Sequence, residues 1–124
     1  MLKKIDKSLF EIHLISNLDV FDKDDLSEEL KQLVDHWYDV EKIPDNELVN
    51  TLRQKNFDVL FDLSGFTRGN RLEVVAKRCA KIQIVWLGYN NSLCLKNVDY
   101  LIADKNLIKS NEHHLYKTSK LLIR

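Results

Sequence analysis

DVLFDLSGFTRGNRLEVVAKRCAKIQIVWLG, residues 58–88, decides how this chain folds. DVLFDL at 58–63 is a dense apolar run, the pattern of a strand covered on both faces. Leu72, Val75, Ala76 and Cys79 recur at helical spacing and predict a helix starting near Asn70, where Asn70 and Glu73 have the spacing of a capping box. KIQIVWLG at 81–88 predicts the next buried strand. A strand, a helix and a second strand in this order imply a right-handed β-α-β crossover and a parallel pair.

The pattern repeats on both sides. FEIHLIS at 10–16 reads as a strand. DDLSEELKQLVDHW at 24–37 places Leu26, Leu30, Leu33, Val34 and Trp37 on one helical stripe, with Asp25 and Glu28 as its capping box. YDVEKI at 38–43 predicts a short strand. Pro44 opens a second helix over 44–56, because a missing N–H costs nothing in a first turn; Leu48, Val49 and Leu52 face its core side. DYLIAD at 99–104 and KLLIR at 120–124 predict further strands, and NEHHLYK at 111–117 a helical turn. The expected class is α/β, one mostly parallel sheet with flanking helices in a single domain over 1–124.

Ligands of such sheets bind outside the carboxyl ends of the strands. LSGFTRGN at 63–70 lies at one such end and GYNNS at 88–92 at the next. Gly65 and Gly69 permit tight turning, Thr67 and Arg68 offer donors, and the start of the following helix favours anions. The spacing is neither GxGxxG nor GxxxxGK[ST], so a plain connection remains the alternative.

The totals exclude several classes. Nineteen basic and nineteen acidic residues cancel, leaving no global field to draw nucleic acid or an anionic membrane. Cys79 and Cys94 form no CxxC pair, so reduced thiols are expected rather than a zinc site. The apolar windows are too short to cross a bilayer and no signal peptide is expected, which points to the cytoplasm.

Residues 58–89, followed by VDYLIAD at 98–104, resemble the catalytic region of the protein O-linked N-acetylglucosamine transferases, the Spindly-type proteins and their bacterial relatives, in glycosyltransferase family 41. EELKQLVDHWYDV at 28–40 also resembles family sequence. The resemblance implies part of the N-terminal, Rossmann-like lobe of a GT-B-type enzyme. Such an enzyme moves N-acetylglucosamine from UDP-GlcNAc, or fucose from GDP-fucose, to serine or threonine of an acceptor protein. By motif, Gly65, Thr67, Gly69, Asn70 and Arg71 match the first loop and Gly88 and Tyr89 the second. With Arg68 and Asn91 they are the expected cleft wall, with no catalytic residue and no cofactor among them.

Three departures accompany the match. The family's His-Pro segment and its nucleotide-gripping lobe have no counterpart here, and none of His13, His36, His113 or His114 matches the family histidine. The family's Gly-Tyr-Pro-Gly-Thr-[ST]-Gly stands as Gly88, Tyr89, Asn90, Asn91, Ser92, Leu93, Cys94, so Asn91 and Cys94 replace glycines. The Arg-Pro-Ala-Pro turn stands as Arg78, Cys79, Ala80, Lys81, losing the rigidity of its prolines.

The remaining candidates have plainer readings. The His113–His114 pair lacks partners at metal-ligand spacing, and His36 beside Trp37 reads as the edge of a helix–sheet contact. Asp58 and Asp62 read as hydrogen-bonding groups rather than an acid–base pair. Trp37 and Trp86 read as core or lobe-interface residues rather than stacking platforms for a sugar, and Lys117, Lys120 and Arg124 as a solvated face. The expectation is a transferase-family fragment, inactive alone. Alternatives are an interaction module or one subunit of a split enzyme, with a complementing chain or self-association, and a small nucleotide-binding domain.

Overall fold

The computed structural model describes residues 2–89, 91–116 and 119–123. They form two compact units, residues 1–43 and residues 44–124.

In the first unit, β1 (His13–Ser16) and β2 (His36–Asp39) are parallel and α1 (Asp25–Leu33) connects them, with His13 opposite His36 and Ile15 opposite Tyr38. The capping box of α1 is one residue earlier than the sequence suggests: Ser27 N–H donates to Asp24 Oδ1 at 2.9 Å and Asp24 N–H to Ser27 Oγ at 3.4 Å. The helix also stops four residues short of the expected Trp37. Asp35 and His36 N–H both donate to Ile12 O, and the Asp35 carboxylate accepts Ile12 N–H at 2.8 Å. This clasp draws the aromatic segment His36–Asp39 into extended pairing with β1, so Trp37 belongs to a strand. Phe10 lies outside β1 and is exposed.

In the second unit, β3 (Phe57–Asp62), β4 (Ala80–Val85), β5 (Tyr100–Ala103) and β6 (Lys120–Ile123) form a parallel sheet in that order. α2 (Asp45–Gln54) buries Leu48, Val49 and Leu52 as its spacing predicts. Pro44 is its N-cap, accepting Leu48 N–H at 2.9 Å, and Asn56, at φ +52°, turns the chain into β3. Asparagine tolerates that left-handed conformation better than most residues. The segment 111–117 falls largely in a 3-10 turn, Ser110–Leu115; Lys117 and Arg124 lie outside the described residues.

Two expectations fail in this unit. The helix expected from Asn70 is a single turn, α3 (Leu72–Val75), with Arg71 as N-cap and no side-chain cap. Asn70 instead accepts Leu72 N–H on its Oδ1 at 3.2 Å, an Asx turn just outside the helix, and Arg78 at φ +58° reverses the chain into β4. Nor is β3 covered on both faces. One face of the sheet carries the core of Val75, Val85, Leu93, Val98, Leu101, Ala103 and Ile108. On the other, Val59 and Phe61 stay 42% and 46% exposed beside Ile82 and Ile84.

Gln83 is fully buried and ties the core side together. Its Oε1 accepts Cys79 N–H at 2.7 Å, and its Nε2 donates to Val75 O at 2.8 Å and Asn97 O at 2.7 Å. No described helix is long and apolar enough to cross a membrane.

Candidate functional site

Two loops meet at the carboxyl ends of β3 and β4, and Asp62 joins them. Its carboxylate accepts the N–H groups of Ser64 at 3.3 Å and Gly65 at 2.9 Å, while its carbonyl accepts Trp86 N–H at 3.0 Å. The aspartate is therefore a hydrogen-bonding hub rather than an acid–base group. Asp58 pairs with Lys81 Nζ at 2.6 Å on the exposed surface.

Glycine is required at two points of this junction. Gly65 is buried at φ +55°, and a Cβ there would lie 2.1 Å from the Tyr89 Cβ. A Cβ on Gly88 would lie 1.8 Å from Leu63 O. Each loop thus presses a glycine against the other, and no larger residue fits the gap. Phe66, unremarked in the sequence, closes the contact with its ring edge-on to Tyr89, centroids 5.2 Å apart.

Within the first loop, Thr67 donates from both N–H and Oγ1 to Ser64 O at 3.2 and 2.8 Å. Asn70 donates from both N–H and Nδ2 to Thr67 O at 3.2 and 2.8 Å. Gly69 takes φ +76°. These bonds set the loop's shape internally. Arg71 turns away to α2, its Nε 2.6 Å from Asp45 Oδ1, while Arg68 stands exposed at the rim. The anion-binding expectation from a helix start lapses, because α3 is too short to build a dipole.

In the second loop, Asn91 is exposed and its Oδ1 accepts Ser92 N–H at 2.8 Å. Left-handed strain falls on Leu87, at φ +70°, and on Cys94, at φ +54°, where the resemblance placed a glycine. Asn90 lies outside the described residues. The structure therefore brings Gly65, Gly88 and Tyr89 together, leaves Thr67, Arg68, Gly69, Asn70 and Asn91 along the same rim, and withdraws Arg71.

The turn leading into β4 lacks the prolines of the resembled motif and is held by other means. The Arg53 guanidinium donates from Nε to Arg78 O at 3.1 Å and from Nη2 to Lys77 O. Arg78 in turn grips Asp99 through two bonds, at 2.6 and 2.9 Å. That pairing, together with Gln83 N–H, holds the Asp99 carboxyl below the usual carboxylate range against the opposing effect of burial. A separate groove, lined by Ile82, Tyr100, Tyr116 and Lys120 among others, opens at the amino ends of the strands, away from both loops.

The chain has relatives among known proteins. Residues 2–122 match the model of the family described as Glycosyl transferase family 41. Over 68 residues the chain is 37% identical to the probable UDP-N-acetylglucosamine–peptide N-acetylglucosaminyltransferase SPINDLY of Eustoma exaltatum subsp. russellianum, covering 55% of this chain and 7% of that protein. It is 32% identical over 100 residues to the UDP-N-acetylglucosamine–peptide N-acetylglucosaminyltransferase of Caenorhabditis elegans, covering 80% of this chain and 9% of that one. A solved variant of the Thermobaculum terrenum O-GlcNAc transferase superposes with a TM-score of 0.90 at 32% identity, over 98% of this chain and 23% of that chain. The chain thus spans less than a tenth of these two curated relatives and about a quarter of the solved one.

Proposed function

The chain belongs to glycosyltransferase family 41, and on that premise we propose that its 124 residues form one wall of the sugar-transfer cleft of a protein O-GlcNAc transferase. The donor is a nucleotide sugar of the UDP-GlcNAc type, and the acceptor is a serine or threonine of a protein. The wall is part of the N-terminal lobe of a GT-B-type enzyme acting in the cytoplasm. Gly65, Thr67, Arg68, Gly69, Asn70, Gly88, Tyr89 and Asn91 face the substrates, and Arg71 supports them through α2.

The observation that carries this reading is the interlock of Gly65 with Tyr89 and Gly88 with Leu63 at the carboxyl ends of adjacent parallel strands. That is where a parallel sheet presents ligands, and the two contacts fix the loops before any ligand arrives. A fixed wall lowers the ordering cost of binding and orients reactants, but it supplies no proton transfer and no nucleophile.

The test uses the isotopically labelled 124-residue chain, titrated with UDP-GlcNAc and then with an acceptor peptide. Amide shifts confined to 63–71 and 86–95, weak and without transfer, are expected. Shifts confined to the groove at the amino ends of β4–β6, no shifts at millimolar ligand, or labelled peptide above a no-enzyme control would each overturn the reading.

A further inference from the structure

The first unit holds a cluster that the cleft does not use. Glu11, His13 and His36 each offer one ligand atom, and these atoms all lie within 4.8 Å of one another. The meeting of the two histidines follows from strand geometry, and Glu11, two residues before β1, brings its carboxylate to both rings. Parallel register places His36 directly opposite His13, and Tyr38, two residues on, shares that face. The sequence reading set His36 at a helix edge; its place in β2 makes the cluster.

Glu11 Oε1 lies 2.7 Å from His36 Nε2 and 3.3 Å from His13 Nε2. The two imidazoles stack with centroids 4.4 Å apart and planes inclined by 22°. On the far side of the ring, His13 Nδ1 lies 3.2 Å from the Tyr38 hydroxyl. With a proton on Nδ1, that nitrogen donates to Tyr38 and leaves Nε2 as the ligand atom. A ligating histidine held through its other nitrogen is the arrangement that orients the ring and raises its basicity.

We propose that Glu11, His13 and His36 form a surface site for a divalent transition-metal ion, zinc foremost, coordinated by His13 Nε2, His36 Nε2 and a Glu11 carboxylate oxygen, with Tyr38 orienting His13. Two imidazoles and one carboxylate suit zinc, cobalt, nickel or copper rather than magnesium or calcium, which prefer all-oxygen shells. The Glu11 and His36 side chains are 65% and 47% exposed and that of His13 is 17% exposed, so the remaining coordination positions open to water. Entry of the ion splays the stacked rings by small side-chain rotations, which this exposure permits. By joining β2 to β1 and to the segment that leads into it, the ion stabilises the fold it binds.

The full chain, freed of metal by chelation, is titrated with zinc by calorimetry and with cobalt by absorption. The expected result is one saturable ion per chain, a rise in Tm, and a cobalt spectrum without a thiolate charge-transfer band. Glu11→Gln and His36→Gln should each weaken binding about tenfold or more, and Tyr38→Phe, which keeps the ring, should do so by about tenfold. A His113→Gln/His114→Gln double variant and Cys94→Ser should bind as the parent does. Far-UV circular dichroism reports whether each variant folds, and Tyr38→Phe serves if a ligand variant does not. Absence of saturable binding, binding unchanged in both His36→Gln and Tyr38→Phe, or binding lost in the His113/His114 variant would overturn the proposal.

Discussion

Gly65 has no room for a methyl group because Tyr89 occupies it: a Cβ would sit 2.1 Å from the tyrosine Cβ, at a backbone φ of +55°. Gly65→Ala therefore meets both a collision and left-handed strain. Loss of about 2–4 kcal/mol of stability is expected by urea unfolding. Adding Tyr89→Gly removes the collision but not the strain, so the double variant should recover part of the loss. Full additivity of the two changes would show that the loops do not touch.

Gln83→Leu should be among the most damaging changes to the second unit. The replacement fits an apolar core but strands Cys79 N–H and Asn97 O without their partner and leaves Val75 O only the 3.4 Å bond from Arg78 N–H. Buried groups left unpaired cost about 1–3 kcal/mol each before relaxation, so a loss of about 3 kcal/mol overall is expected by chemical denaturation. A change below about 1 kcal/mol would mean that the network contributes little.

Cys94→Gly should stabilise the chain. The cysteine holds φ +54°, which costs a side-chain-bearing residue about 1–2 kcal/mol; glycine relieves that but carries more entropy when unfolded. A net gain of about 0.5–1 kcal/mol is expected from urea midpoints.

Asp99 sets an acid limb. Its carboxyl is held below the usual range first by the Arg78 side chain, with Gln83 N–H adding to the effect. A carboxyl depressed in the folded state contributes stability above its unfolded value, about 3.9, and that contribution is lost as pH falls through the folded value. Asp99→Asn should therefore be less stable than the parent at neutral pH, and the gap should narrow below about pH 4. Urea midpoints of both proteins across that range check the sign; a gap that widens on acidification would contradict it.

What the sequence revealed depended on whether a signal was local. Pro44 and the Leu48, Val49, Leu52 stripe announced α2, because that signal rests on neighbouring residues; Gly65 announced a tight turn, but not its contact with the distant Tyr89. The end of α1 did not, since the clasp of Asp35 on Ile12 spans 23 positions. α3 read as longer because Ala76 and Cys79 continue its apolar spacing, while Arg53 and Gln83 hold the turn that ends it. Dense apolar content in β3 implied cover on both faces, yet periodicity cannot say whether a neighbour exists. His13 and His36 were visible singly; their meeting needed the β1–β2 register. Asp62 offered a usable sign, since an aspartate ending an apolar strand two residues before a serine and three before a glycine is a frequent turn initiator.

Asp62 holds the first loop through its carboxylate and the second through its carbonyl. A push on either loop is therefore felt by its neighbour through one residue, and the pair can yield only as a linked body. On the reading proposed above, a ligand meets a template cast in advance, and selectivity there comes from shape matching rather than from a closing motion of these loops.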